Sequence, residues 1–118
     1  MKLFLVSIPE SFEDTDWYVA ANTFEDAVRL YVDSATQEDE VSVDQQELFE
    51  AGSVIVKLYS DNFHGEAGVI DWEAAQDISH AVRIIEQIDY RLDTHADWGR
   101  WRTHCDEQGF SSAVAQPR

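Results

Sequence analysis

The sequence predicts a single α+β domain in which a small, mostly antiparallel sheet of three to four strands packs against two to three helices. The chain has 118 residues, which suits one domain. Apolar residues make up 44% of it, enough for a packed core. Segments typical of strands alternate with segments of helical periodicity, so the predicted order of elements is β-β-α-(α)-β-(β)-α-α.

Two strands and a helix are predicted for the first third of the chain. Residues 2–8 are rich in large and β-branched apolar side chains, and an acidic connection joins them to a second strand, Trp17–Ala21. Thr23 is expected to cap a helix, because Asp26 three residues later completes a capping-box pattern. The apolar residues that follow recur at 3.6-residue spacing: Phe24, Ala27, Val28, Tyr31 and Ala35.

The middle of the chain predicts a short helix followed by one clear strand. Asp44 and Glu47 have a second capping-box spacing, which favours a helix over residues 45–51. Ser53–Ser60 alternates between two faces, as strands do. After a segment of turn residues, residues 68–70 are expected to form a short fourth strand.

The last third of the chain predicts a long C-terminal helix. Asp71 is suited to cap it, and it is expected to continue to Leu92. Residues 94–105 are expected to form a further helix, broken at Gly99. The domain is expected to cover residues 1–108, with residues 109–118 as a loose tail. The core stripe of the long helix is Ala74, Ile78, Ala81, Ile85, Ile88 and Leu92, widened by Val82 and Ile84.

Acidic charge is concentrated in one region of the sequence. The chain has 24 acidic and eight basic residues, a net charge of −16. Residues 1–82 carry eighteen acids and three bases, whereas residues 83–118 carry six acids and five bases. Between positions 10 and 50 there are thirteen acids, and Arg29 is the sole base. This balance excludes a nucleic-acid-binding protein of the ordinary basic kind.

Three interpretations of this acidity are open. The charges can form a solvated face that keeps the protein soluble. They can also be an adaptation to high salt, although the near-neutral last third of the chain argues against that. In the third interpretation, the acidic surface occupies a basic groove in place of a phosphate backbone. Duplex DNA carries one charge per about 1.7 Å of axis, a density that carboxylates on one face of a small domain can approach.

Two sets of residues are candidates for contact with a partner: a main set of nine carboxylates and an alternative set of aromatic and arginine side chains. The alternative set comprises Trp98, Trp101 and Arg102, because two tryptophans three residues apart can share one helical face. These tryptophans either complete the core or form a patch for a protein–protein adaptor, in which case acidity serves only solubility. The first set is the nine carboxylates of the two acidic connections: Glu10, Glu13, Asp14, Asp16, Glu38, Asp39, Glu40, Asp44 and Glu47.

No pattern in the sequence indicates catalysis, a metal or a cofactor. Four histidines, at positions 64, 80, 95 and 104, have separations that match no zinc motif. The single cysteine, Cys105, allows no internal disulfide and suits a reducing, cytoplasmic location. Phosphate-binding glycine motifs are absent, and no apolar run is long enough to span a membrane. We therefore expect a non-enzymatic protein with no cofactor, no metal and no membrane contact.

In its size, acidic balance and lack of a catalytic motif, the chain resembles the small phage-encoded inhibitors of bacterial defence, the anti-CRISPR and anti-restriction proteins. Several of those are thought to act as nucleic-acid mimics. The segment WYVAANTFEDAVRLYVD also resembles a strand-to-helix piece of small phage and antitoxin-like domains. The resemblance implies a host-cell cytoplasmic location and a basic nucleic-acid-binding partner, such as a CRISPR effector or a restriction enzyme, with no direct binding of nucleic acid.

Self-association is restricted by the same charge distribution. Two copies of the acidic region repel each other, whereas residues 83–118 can meet themselves with little charge cost. The sequence therefore predicts either a monomer or a two-fold homodimer joined through the C-terminal helices.

Overall fold

The computed structural model describes residues 1–9, 16–36, 45–70 and 83–107. The α+β class and the mostly antiparallel sheet predicted from the sequence are confirmed. The strands are β1 (Lys2–Ser7), β2 (Trp17–Ala21), β3 (Ser53–Ser60), β4 (Gly68–Val69) and β5 (Glu86–Arg91). The helices are α1 (Phe24–Ala35), α2 (Gln45–Ala51) and α3 (Trp98–Glu107), with a 3₁₀ turn over Leu92–Thr94.

The five strands form one antiparallel sheet in the order β4-β2-β1-β3-β5. The central strand, β1, pairs with β2 and β3, so that Leu5 lies opposite Tyr18 on one side and Lys57 on the other. Because side chains alternate along a strand, Phe4 and Val6 point to one face and Leu3 and Leu5 to the other. All four are buried, and Phe4 and Val6 belong to the main core cluster.

Helix α1 confirms the capping pattern predicted from the sequence. The Thr23 hydroxyl oxygen accepts a hydrogen bond from the Asp26 backbone N–H at 3.0 Å. This bond satisfies one of the N–H groups that a helix start leaves without a partner. One face of the helix is buried along its length, through Ala27, Val28, Tyr31, Val32 and Ala35.

The main core lies between one face of the sheet and the three helices. Leu48 and Phe49 of α2 and Trp101 of α3 belong to the same buried cluster as Phe4 and Val6 of β1. Trp101 is the largest fully buried side chain among the described residues, with 1% of its surface exposed. The described helices α1, α2 and α3 therefore form one layer on this face of the sheet.

The long C-terminal helix predicted for residues 71–92 is wrong over the part of it that the structure describes. Residues 83–85 are not helical, and Glu86–Arg91 form β5, which pairs with β3. The sheet consequently has five strands where three to four were expected. Within the described ranges, the C-terminal helix is short, with 10 residues in α3. The stripe residues Ala74, Ile78, Ala81 and Val82 lie outside the described residues, as does the expected tail.

The error has a physical reason in the pattern of β5. Ile88, Tyr90 and Leu92 alternate with Asp89 and Arg91, which is the two-residue period of a half-buried strand. Ile88 and Tyr90 pack against the core, while the residues between them are exposed. The isoleucines at 85 and 88 also fit a helical stripe, so the helical interpretation hid the shorter period.

The last helix is displaced from its predicted position and is continuous through Gly99. It spans Trp98–Glu107, whereas residues 94–105 were expected with a break at the glycine. Leu92–Thr94 forms a 3₁₀ turn, and the backbone N–H of Trp98 donates to the carbonyl of His95 at 3.1 Å. The helix therefore starts after the turn that ends β5.

Among the described residues, no helix is both long enough and apolar enough to cross a membrane.

Candidate acidic interface

The first acidic connection leaves and re-enters the sheet at one end. Strand β1 ends at Ser7 and β2 begins at Trp17, which lies opposite Val6. Pro9 and Asp16, which flank the connection, are therefore at the same end of the sheet.

The second acidic connection is anchored at that end as well. Helix α1 starts after β2 has crossed the sheet and runs back along it, so that Tyr31 packs on Trp17 with ring centroids 5.2 Å apart. Thr36, which ends α1, therefore lies near the start of β2. Helix α2 leads directly into β3, whose Ile55 is opposite Ser7. We call the end of the sheet where Pro9, Asp16, Thr36 and the start of β3 lie the acidic end.

The structure describes two of the nine candidate carboxylates. Asp16 is exposed immediately before β2, and Glu47 is half-buried in the first turn of α2. Glu10, Glu13 and Asp14 of the first connection lie outside the described residues, as do Glu38, Asp39, Glu40 and Asp44 of the second. The topology thus brings together the anchors of both connections, a convergence that the sequence did not reveal because it depends on strand order.

The charge of Asp16 acts on two tyrosines of the sheet. Tyr18 and Tyr59 lie on neighbouring parts of one sheet face, with ring centroids 5.8 Å apart. Burial, and secondarily Asp16, raises the pKa of Tyr18. Burial also raises the pKa of Tyr59, with smaller contributions from Tyr18 and Asp16. Both phenols therefore remain neutral beside this carboxylate at physiological pH.

Several basic side chains are already paired within the protein. Arg100 donates to Asp33 and Asp97, each at 3.0 Å, and the hydrogen bond to Asp33 contributes most to a raised pKa of Arg100. Arg91 pairs with Asp93 at 2.7 Å. Arg29 lies 3.8 Å from Asp26 and 4.0 Å from Asp33 on α1. In contrast, five exposed carboxylates make no ion pair within the described ranges: Asp16, Asp61, Glu66, Glu86 and Asp89.

The structure separates the residues of the alternative candidate set. Trp101 is in the core, and its indole N–H donates to the Asp33 carboxylate at 2.8 Å. Trp98 is half-buried and packs on Phe49 with ring centroids 5.8 Å apart. The Arg102 guanidinium lies 5.6 Å from the Trp98 ring and 5.9 Å from the Phe49 ring, a cation–π arrangement. Of the three candidates, Trp98 and Arg102 are therefore partly exposed side by side, with the buried Phe49 beneath them and Trp101 in the core.

Two histidines have structural roles between α1 and the C-terminal segment. The Asp97 backbone N–H donates to Nδ1 of His95 at 2.9 Å, so Nε2 carries the proton and faces the Glu25 carbonyl at 3.1 Å. Nε2 of His104 lies 3.0 Å from the Thr36 carbonyl at the end of α1. Both side chains join elements of the fold. No group of three or more His, Cys, Asp or Glu side chains within the described residues is placed to hold a metal ion.

Asp33 is a central polar residue that the sequence pattern did not single out. Its carboxylate accepts from both Arg100 and Trp101, and these bonds join α1 to α3. An aspartate on the outer side of a predicted helix gives no signal for such a role, because its partners are more than sixty residues away in the chain.

Comparison of this chain with known protein families, curated proteins and solved structures found no match.

Proposed function

We propose that the protein is a non-enzymatic inhibitor that binds, through its acidic end, to a basic nucleic-acid-binding surface of a partner. The partner class we propose is a CRISPR effector or a restriction enzyme, in which the acidic surface takes the place of a phosphate backbone. The resemblance to phage-encoded inhibitors favours this class of partner.

The observation that carries the proposal is that Pro9, Asp16 and Thr36, which flank the two acidic connections, lie at one end of the sheet. All nine candidate carboxylates belong to the two chain segments that leave and return there. Separate acidic segments on opposite sides of the molecule would favour a general solubilising role. Segments anchored together can place their charges against a single surface of the partner.

The pairing of basic residues supports the proposal further. Arg29, Arg91 and Arg100 are each held by carboxylates of the protein itself. These three arginines are therefore engaged by other carboxylates, whereas residues 10–50 carry thirteen acids and one base, which gives this segment a strongly negative field. Such a field attracts a basic groove over roughly a Debye length, about 8 Å at physiological salt.

A displacement assay tests this function. A fluorescent duplex is bound to a purified CRISPR effector or restriction enzyme, and the protein is titrated in while anisotropy is recorded. We expect the protein to release the duplex, and its inhibition constant to rise steeply as salt is increased, because the interaction replaces phosphate contacts. If the protein displaces nucleic acid from no member of a panel that covers both enzyme classes, the proposal is contradicted.

The second candidate function is that of a protein–protein adaptor, and the partly exposed pair of Trp98 and Arg102 favours it. Aromatic and arginine side chains are enriched among residues that dominate binding energy. Trp98→Ala is the appropriate test, because Trp98 is half-buried whereas Trp101 is in the core. An adaptor would lose its partner in this variant, whereas a nucleic-acid mimic would retain its displacement activity.

A further inference from the structure

Strand β5 forms an open edge of the sheet. It pairs with β3 on one side, and no strand among the described residues pairs with its other side. The opposite edge is β4, which has only two residues. An edge strand exposes a row of backbone N–H and C=O groups that can template pairing with another strand. β5, with six residues, is the edge long enough to do so.

The hydrogen-bond register identifies which groups of β5 face outward. The Leu92 N–H donates to the Gly52 carbonyl at 2.9 Å, next to the pair formed by Arg91 and Ser53. In an antiparallel ladder, this makes Arg91 a residue whose own N–H and C=O point away from β3. Because the direction alternates, the backbone groups of Gln87 and Asp89 also face the open edge.

Two exposed isoleucines lie at the start of this edge. Ile84 is 45% exposed and Ile85 is 58% exposed, the highest values among the large hydrophobic side chains described. The Ile85 N–H donates to the Leu58 carbonyl at 2.7 Å, while Glu86 is the registered partner of Leu58. The pairing of β5 with β3 is therefore irregular only at the start of β5, and residues 87–91 pair regularly with β3.

We infer that β5 is the contact by which two copies of the chain form a two-fold dimer, with the sheets joined edge to edge. The occupant is a second copy because this is the part of the molecule with little net charge. Residues 83–93 contain Arg83 and Arg91 against Glu86, Asp89 and Asp93, whereas residues 1–82 carry eighteen acids and three bases. Antiparallel pairing of β5 about a two-fold axis puts the two acidic ends at opposite ends of the joined sheet, so the inference is independent of the function proposed for them.

Charge and the length of overlap together select one register for this pairing. Pairing about Tyr90 opposes no like charges, but it overlaps only residues 89–91, because the 3₁₀ turn begins at Leu92. Antiparallel pairing about Asp89 would place that carboxylate opposite itself, and pairing about Gln87 would place Arg83 opposite Arg91. Pairing about Ile88 places Gln87 opposite Asp89 of the second copy, and no like charges are directly opposed. It also brings Ile84 and Ile85 alongside Leu92 and Arg91 of the second copy. The outward N–H and C=O groups of Gln87 and Asp89 then bond across the two-fold axis.

Sedimentation equilibrium of Asp89→Pro and Asp89→Ala tests the inference. Proline removes an N–H that faces the edge and is not bonded to β3, so the monomer fold tolerates it on an edge strand. We expect a concentration-dependent dimer for the natural chain and for Asp89→Ala, and a monomer for Asp89→Pro with an unchanged circular dichroism spectrum. A natural chain that is monomeric from micromolar to millimolar concentration overturns the inference. So does a dimer that Asp89→Pro leaves intact.

Salt distinguishes this contact from the proposed inhibitory one. Screening reduces the repulsion between two strongly acidic copies, so the dimer should persist or strengthen as salt rises. Binding of a basic partner through the acidic end should weaken under the same conditions. Asp89→Pro should retain displacement of nucleic acid, because its change is confined to β5.

Discussion

At the scale of single residues, Trp101 shows that the same side chain can satisfy two different sequence interpretations. Its position three residues after Trp98 fits either a surface patch or a core contact. The indole N–H bond to Asp33 and the burial of the ring make it the residue that fixes α3 on α1. A functional test that removes Trp101 would therefore perturb the fold as well as any partner contact.

Substitution of Trp101 by alanine should lower the free energy of unfolding by about 3–5 kcal/mol, the usual cost of removing a large buried aromatic side chain. Trp98→Ala is the matched control and should cost less, because Trp98 is half-buried. Urea denaturation followed by circular dichroism measures both. Equal losses for the two variants would contradict the assignment of Trp101 to the core.

The phenol of Tyr90 should make stability sensitive to alkaline pH. Burial, and then the Glu25 carboxylate at 3.3 Å, raises the pKa of Tyr90 from 10.0 to about 12. The folded protein favours the protonated phenol, so this contribution is fully present below pH 10 and is lost as the pH rises to about 12. Between pH 9 and pH 11, Tyr90→Phe should therefore lose less unfolding free energy than the natural chain. An equal loss in both proteins would show that Tyr90 does not carry the effect.

At the scale of elements, the local sequence signals were sufficient to predict the helices and strands up to β3, but not β5 and the helix α3 that follows it. β2, α1, α2 and β3 have the boundaries that their patterns predict, because caps and alternation are encoded within each segment. β5 depends on pairing with β3, whose start is more than thirty residues earlier in the chain. Ile88 and Leu92, four residues apart, fit both a helical stripe and a strand alternation, and only tertiary pairing decides between them.

The cap of α1 offers a direct measure of one such local signal. Thr23→Ala removes the acceptor for the Asp26 N–H and should lower the free energy of unfolding by about 1 kcal/mol. Thr23→Ser keeps the hydroxyl and should recover most of that loss. Chemical denaturation of the three proteins checks both expectations, and a serine variant as unstable as the alanine variant would refute the capping role.

At the scale of the whole molecule, the sequence predicts which residues belong to the candidate site but not where in the fold they lie. The count of acids along the sequence identified both acidic connections. The common position of the residues that flank these connections follows from the antiparallel return of β2 and the direction of α1, which no count of charges contains. The same topology shows that another group of acids, Asp61, Glu66 and Glu86, lies near the opposite end of the sheet, where β3 ends and β5 begins.

These two groups allow a comparison in which only the location of the charge differs. Adaptation to salt or a need for solubility predicts that equal charge changes at the two ends have equal effects. Binding through the acidic end predicts unequal effects. Exposed charge substitutions usually change stability little, so both variants should fold.

The most direct test is therefore duplex displacement from the CRISPR effector or restriction enzyme by two triple variants. One changes Glu13, Asp14 and Asp16 to lysine, and the other changes Asp61, Glu66 and Glu86 to lysine. Our account predicts that the first variant loses displacement by at least tenfold in inhibition constant, about 1.4 kcal/mol or more, whereas the second stays within a few-fold of the natural chain. Equal losses in the two folded variants, or full activity in the first, would contradict it.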